Sequence, residues 1–212
     1  MCTGRVDLSF VLRAFSKGTD GVFIVGCRLN ECNYITHGNF HTLSLAHLCK
    51  KIMEHIGLNP ERLRIEFMTS GEGILFAEVM NDFGKEVKEL GPLGQGEGMD
   101  ENVLKAKLEA VTKLVPYIRL VERERLRVPF KSEEEFSEFF NSDEANRLFK
   151  ELIGDKLAIS QIMLLLRERP LSTGKMAEIL GLTPSEVSRH INTSSRHGLV
   201  RYDASQKCYA LA

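Results

Sequence analysis

The order of apolar patterns in the N-terminal part of the chain restricts the fold most. Apolar residues recur at helical spacing in three stretches, 8–15, 45–56 and 76–90. Two short β patterns lie between them: the wholly apolar run of residues 22–25, flanked by glycines, and the alternating run of residues 63–67. Alternating helices and strands form parallel sheets with crossover helices. We therefore predict an α/β fold with a partial parallel sheet.

Two strands are few for an independent sheet. The chain also begins with a cysteine-containing turn that leads directly into a helix, whereas a β–α unit has a strand before such a turn. We expect this segment to be the second half of a larger α/β unit whose other half lies on another polypeptide or has been lost.

A linker and a change of pattern divide the rest of the 212 residues. Four glycines and one proline between residues 91 and 98 cannot continue a helix. The predicted domains are an α/β domain at 1–94, a helical connector at 95–154 and a C-terminal domain at 155–212. In the connector, Pro116 should kink or end a helix, and the charged run 122–127 should be a solvated helix face.

Three cysteines, Cys2, Cys27 and Cys32, lie within the first 32 residues. Cys27 and Cys32 follow the first predicted strand, and Cys2 lies where the preceding turn of the same sheet edge would be. Ligands of open parallel sheets bind at the carboxyl ends of the strands, so we expect these thiols to converge. Thiolates select zinc or iron–sulfur clusters. The sequence therefore predicts a metal site, with three free cysteines as the alternative.

A zinc site is a further alternative, formed by Cys27 and Cys32 with His37 and His41, and with Cys2 able to replace either histidine. We expect both histidines to lie in a solvated turn. Cys49 falls on an apolar helical stripe and is expected to be a buried core thiol. Cys208, near the C-terminus, is expected to be inert.

Several motifs in residues 1–94 resemble one known family. They are CTGRVD at 2–7, GTDGV at 18–22, GC at 26–27, ECNY at 31–34, GN at 38–39, NPERL at 59–63, EG at 72–73 and FAEV at 76–79. Together they resemble the iron–sulfur delta subunit of methyl-viologen-reducing hydrogenases. The resemblance implies a [2Fe–2S] cluster with Cys2, Cys27 and Cys32 as ligands. It also implies electron transfer between a hydrogenase or other donor and a flavin- and iron–sulfur-containing partner of the heterodisulfide-reductase type.

The chain departs from the family pattern at the site itself. Arg28 and Asn33 stand where the family has histidines, and only three cysteines fall on matching positions. A two-iron cluster normally takes four protein ligands. Cys49 is a candidate for the fourth ligand that lies outside the family pattern. Otherwise a partner chain supplies the fourth ligand, or the cluster is incomplete or lost.

The C-terminal pattern of three helices and two strands predicts a winged helix-turn-helix. Residues 156–212 resemble the arsenical-resistance-repressor type, most closely at 188–190 and 198–200. Such a domain places its third helix in the DNA major groove. The candidate DNA contacts are Ser185, Ser188, Arg189 and Asn192 for bases, and Arg201 and Lys207 for phosphates. The domain carries 8 Lys and Arg against 5 Asp and Glu, a small excess for DNA binding. A role in protein docking is therefore favoured over DNA binding.

The chain shows no Ser/His/Asp set, Walker loop or paired-carboxylate signature, so we predict no catalytic residues. The leading hypothesis is an electron-transfer component of an oxidoreductase complex. The alternative is a redox-sensing DNA-binding transcriptional regulator, with the cluster as sensor. No apolar run approaches the ~20 residues of a membrane helix, and the N-terminus has no signal-peptide pattern. We therefore expect a cytoplasmic protein without membrane insertion.

Overall fold

The computed structural model describes residues 2–34 and 37–212, which form nine α-helices and four strands. The helices are α1 (Leu8–Ser16), α2 (Asn39–Ile56), α3 (Gly73–Leu90), α4 (Glu101–Val121), α5 (Glu133–Asn141), α6 (Asp143–Phe149), α7 (Asp155–Glu168), α8 (Thr173–Leu180) and α9 (Pro184–Arg196). The strands are β1 (Val22–Gly26), β2 (Leu63–Phe67), β3 (Val200–Asp203) and β4 (Cys208–Leu211).

The N-terminal sheet has the predicted parallel arrangement. β1 pairs with β2 from Val22 opposite Leu63 to Gly26 opposite Phe67, and α2 is the crossover helix between them. The α/β prediction is confirmed. In β1 only Ile24 and Gly26 are buried. The other residues of β1 are partly exposed, because a sheet of two strands leaves more of each strand accessible to solvent than a larger sheet does.

The helices that follow the linker share one hydrophobic core with this sheet. Leu108, Val111 and Ile118 of α4 are buried in the same cluster as Leu12 of α1 and Leu48 of α2. A second cluster lies in the C-terminal part of the chain, around Ile162, Met176 and Ile191. The predicted boundary between residues 94 and 95 stays a prediction.

Pro116 was expected to kink or end a helix, and the second alternative is wrong. Pro116 lies inside α4, which runs to Val121 and continues as a π-helical turn, Glu122–Leu126. A proline removes one hydrogen bond from a helix. Here Val115 and Ile118, on either side of it, are buried in the core. Burial of this apolar face stabilises the helix on both sides of the missing bond.

The C-terminal part of the chain has the predicted winged helix-turn-helix fold. α7, α8 and α9 are followed by the antiparallel pair β3–β4, with Val200 opposite Leu211. Thr183 and Glu186 form a capping box at the start of α9, with Pro184 as its first residue. This local sequence determines where α9 begins.

α3 is the least covered helix of the N-terminal part. Of its 18 residues only Phe83 is buried, and it packs on Phe23 of β1 with ring centroids 5.5 Å apart. Four apolar side chains near its N-terminus are exposed: Ile74, Leu75, Phe76 and Met80. Among the described residues, no helix is both long enough and apolar enough to cross a bilayer.

Candidate metal site

The turn that carries Cys2 is attached to the carboxyl end of β1. The Thr3 hydroxyl donates to the carbonyl oxygen of Val25 at 3.0 Å. A Cβ atom on Gly26 would lie 3.4 Å from the same hydroxyl and 3.0 Å from the Phe67 ring. The glycine at the end of β1 therefore leaves room for the Phe67 ring and for the adjacent Cys2 turn.

The loop that carries Cys27 and Cys32 is held by the start of α2. The buried Asn39 side chain donates from Nδ2 to the Cys27 carbonyl at 2.9 Å and to the Arg28 carbonyl at 2.7 Å. The same nitrogen lies 3.8 Å from the Cys27 sulfur. A Cβ atom on Gly38 would lie 2.3 Å from the Cys32 sulfur, so a larger residue cannot occupy that position without moving the cysteine.

The three thiols interact with one another. Burial and interaction with the Cys32 thiol raise the pKa of Cys27. Burial alone would also raise the pKa of Cys32, but the net shift is downward. Interactions with the backbone N–H groups of Tyr34 and Asn39 and with the thiols of Cys27 and Cys2 lower the pKa of Cys32 and favour the thiolate. Cys32 also lies beside the N-terminus of α2, whose dipole favours negative charge.

The structure thus brings Cys2, Cys27 and Cys32 together at the carboxyl end of β1. A donor set made only of thiols, one of them acidified, has the chemistry that zinc and iron–sulfur clusters require. Within residues 2–34 and 37–212, however, no group of three or more Cys, His, Asp or Glu side chains is arranged to hold a metal ion. Ligation by these three residues stays a prediction.

Cys49 and Cys208 lie away from the thiol group. Cys49 lies on the buried face of α2, and burial raises its pKa, so the side chain stays a neutral thiol. It is the core thiol that the helical stripe predicted. Cys208 opens β4 in the C-terminal part of the chain.

The expected turn around His37 and His41 is wrong for His41, which lies in the first helical turn of α2. Its Nδ1 is 3.7 Å from the Glu122 carboxylate, and burial lowers its pKa. Glu122 is buried, with one carboxylate oxygen that has no hydrogen-bond partner among the described residues. The solvated face expected at 122–127 is therefore wrong at Glu122, because the π-helical turn after α4 carries this residue against α2.

Asn39 is the site residue that the sequence reasoning missed. It was part of a motif, but no role was inferred for it. An asparagine that opens a helix directly after a cysteine loop has both a donor and an acceptor for the loop backbone. The position of Asn39, at the start of a helix and directly after the cysteine loop, is the sequence signal that indicates this role.

The candidate DNA contacts lie on α9 and on the β3–β4 wing. Five of the six are exposed and Ser188 is half-buried; the exposed ones are Ser185, Arg189, Asn192, Arg201 and Lys207. Arg189 donates from Nη2 to the carboxylate of Asp155 at 3.0 Å. One predicted base contact is therefore held by an acidic residue at the start of α7, and the six contacts stay predictions.

The fold and the thiol group define the class: a cysteine-bearing α/β domain followed by a winged helix-turn-helix. The chain belongs to the family described as methyl-viologen-reducing hydrogenase, delta subunit, which matches residues 1–91. Residues 160–202 match the family described as bacterial regulatory protein, arsR family. The two resemblances predicted from the sequence are confirmed.

Three relatives show where the similarity lies. The chain is 45% identical over 94 residues to one component of the ferredoxin/F(420)H(2)-dependent CoB-CoM heterodisulfide reductase of Methanosarcina acetivorans, covering 44% of this chain and 12% of the relative. It is 41% identical over 91 residues to the iron–sulfur component of an F420-non-reducing hydrogenase of Archaeoglobus profundus, covering 43% and 66%. It is 39% identical over 92 residues to the corresponding hydrogenase component of Methanopyrus kandleri, covering 43% and 69%. The chain thus spans about an eighth of the reductase component and about two thirds of the hydrogenase components.

Proposed function

We propose that the N-terminal domain is an iron–sulfur electron-transfer module of an oxidoreductase complex. The observation that carries the proposal is the convergence of Cys2, Cys27 and Cys32 at the carboxyl end of β1. This convergence lies in the segment that belongs to the hydrogenase delta-subunit family. The relatives are named as subunits of an F420-non-reducing hydrogenase and of a CoB-CoM heterodisulfide reductase, which supports association with complexes of these kinds. The partners we propose are a hydrogenase or another electron donor and a flavin-containing subunit of the heterodisulfide-reductase type.

In this proposal Cys2, Cys27 and Cys32 are the thiolate ligands of a [2Fe–2S] cluster. A bound cluster of this kind accepts and releases single electrons. The pKa of Cys32 is lowered and the pKa of Cys27 is raised, so Cys32 ionises more readily of the two. Asn39 is a positioning residue, because its two hydrogen bonds hold the backbone that carries Cys27.

The experiment is anaerobic purification followed by absorption spectroscopy and by iron and sulfide analysis. We expect a coloured protein that contains iron and sulfide, and we expect Cys27→Ser to lose the colour and most of the iron. Cys208→Ser is the matched control, since that thiol lies in β4, away from the group. Colourless wild-type protein without iron, or full iron content in Cys27→Ser, would contradict the proposal.

A redox-sensing DNA-binding regulator is the second candidate function. The match of residues 160–202 to the arsR family and the exposure of the α9 and wing residues favour it. Duplex binding measured against salt concentration separates the candidates, because phosphate contacts make affinity fall steeply with salt. A steep slope with a sequence preference supports the regulator. Absence of binding at low salt, together with copurification of a flavoprotein, supports the electron-transfer module.

A further inference from the structure

We propose that the cavity between α2 and residues 127–131 binds a small aromatic anion. The cavity has a volume of about 500 Å³. This volume is in the usual range for small-molecule sites, roughly 300–1,000 Å³. The cavity adjoins the three-thiol group, because Cys32 and Asn39 are among its lining residues. The proposal does not depend on the presence of a cluster.

Aromatic rings form much of the cavity wall. Phe40 of α2 stacks on Phe136 of α5 with ring centroids 6.1 Å apart and planes 20° apart. Phe130 meets Phe136 edge to face at 5.5 Å. Val128 and Pro129 complete the apolar side. A flat ring can therefore pack against rings that are already held by one another, with little ordering on binding.

The polar lining of the cavity favours a negative group on the ligand. Arg127 and Lys131 line the cavity, and no Asp or Glu is among its described lining residues. Arg127 contacts one oxygen of Glu122 from Nη2 at 3.3 Å. A guanidinium has five N–H donors, so others remain for a carboxylate, sulfonate or phosphate.

Ser44 supplies a second polar group. Ser44 is a buried lining residue, and its hydroxyl has no hydrogen-bond partner among the described residues. A buried hydroxyl without a partner is costly, and rotation of this side chain toward the cavity would let a polar ligand atom remove that cost. His41 lines the same wall; burial lowers its pKa, so it stays neutral near pH 7 and can both donate and accept.

Two fluorescent probes test the ligand class directly: 8-anilinonaphthalene-1-sulfonate and its uncharged analogue N-phenyl-1-naphthylamine. They share the ring system and differ by the sulfonate. We expect the full-length protein to bind the sulfonate at least tenfold more tightly. Arg127→Gln should weaken the sulfonate about tenfold, the usual effect of losing one charge-assisted hydrogen bond, and leave the uncharged probe unchanged.

Two variants show whether both probes occupy this cavity. Ser44→Leu places a larger apolar side chain in the cavity wall and should weaken binding of both probes, while circular dichroism confirms that the variant is folded. Arg123→Gln is the matched control, because Arg123 is an exposed arginine of the same segment that pairs with Glu124. Equal affinity for the two probes, or sulfonate binding that survives both Arg127→Gln and Ser44→Leu, would overturn the proposal and place the probe on another apolar surface.

Discussion

Arg62 is fully buried and holds the linker against the N-terminal domain. Its Nε donates to Glu97 at 2.6 Å, and its Nη1 donates to the carbonyls of Asp20 at 3.0 Å and Gly91 at 2.9 Å. Glu97 is also largely buried, and it accepts from the backbone N–H of Gly94 at 2.9 Å. One guanidinium therefore neutralises a buried carboxylate and satisfies carbonyls on two separate loops.

Replacing Arg62 by methionine keeps an unbranched side chain but leaves the Glu97 carboxylate buried without its cation. Removing one partner of a buried ion pair costs about 3–5 kcal/mol in the free energy of unfolding. Arg64→Met is the matched control two residues away. Arg64 pairs with Glu66 at 2.8 Å, but its side chain is 29% exposed. An exposed pair contributes about 0–1 kcal/mol.

Urea unfolding followed by far-UV circular dichroism measures both variants, since the chain has no tryptophan for fluorescence. We expect a much larger loss for Arg62→Met than for Arg64→Met. Adding Glu97→Gln to Arg62→Met should recover part of the loss, because no charge is then buried alone. A loss for Arg62→Met no larger than that of the control would refute the reasoning.

The same pair makes stability depend on pH. Burial raises the pKa of Glu97, but the hydrogen bonds from Arg62 outweigh it and hold the pKa below its usual 4.5. A carboxyl whose pKa is lowered by folding stabilises the fold above its unfolded pKa, and this contribution is lost as the pH falls through the folded pKa. The stability difference between wild type and Arg62→Met should therefore shrink below about pH 4.5.

Two further variants test the placement of other groups. Cys49→Ala should retain the full iron content of the wild type, because Cys49 is a neutral core thiol; loss of iron, measured by the same analysis, would make Cys49 a ligand. Asp155→Asn removes the carboxylate that holds Arg189, and should raise duplex affinity and strengthen sequence preference, because the freed guanidinium can then reach a base edge. Unchanged affinity and unchanged sequence preference would show that Arg189 makes no base contact.

Much of the fold could be predicted because its signals are local. The helical spacing in residues 8–15 and the capping box from Thr183 to Glu186 depend only on residues a few positions apart. The order of these elements then implied the parallel pair β1–β2. The interaction of Cys32 with Cys27 and Cys2 agrees with the expectation that strand ends of a parallel sheet share one edge, while their role as ligands stays a prediction.

The errors arose where distant segments pack together. Pro116 stays inside α4 because burial of its neighbours outweighs one lost hydrogen bond. Glu122 is buried because the end of α4 lies against α2, which no pattern within residues 122–127 could reveal. The hydrogen bonds of Asn39 to the cysteine loop join residues 11 and 12 positions apart.

The sequence by itself therefore determined most of the helices, the strands and their order, since these follow from short-range periodicity, capping and chain direction. It also predicted the sheet edge for the thiols. Only the tertiary structure decided which charges are buried, which turns hold the thiols and where a cavity remains beside them. Those features depend on side chains that are brought together by packing between elements far apart in the chain, and local sequence patterns do not predict such contacts.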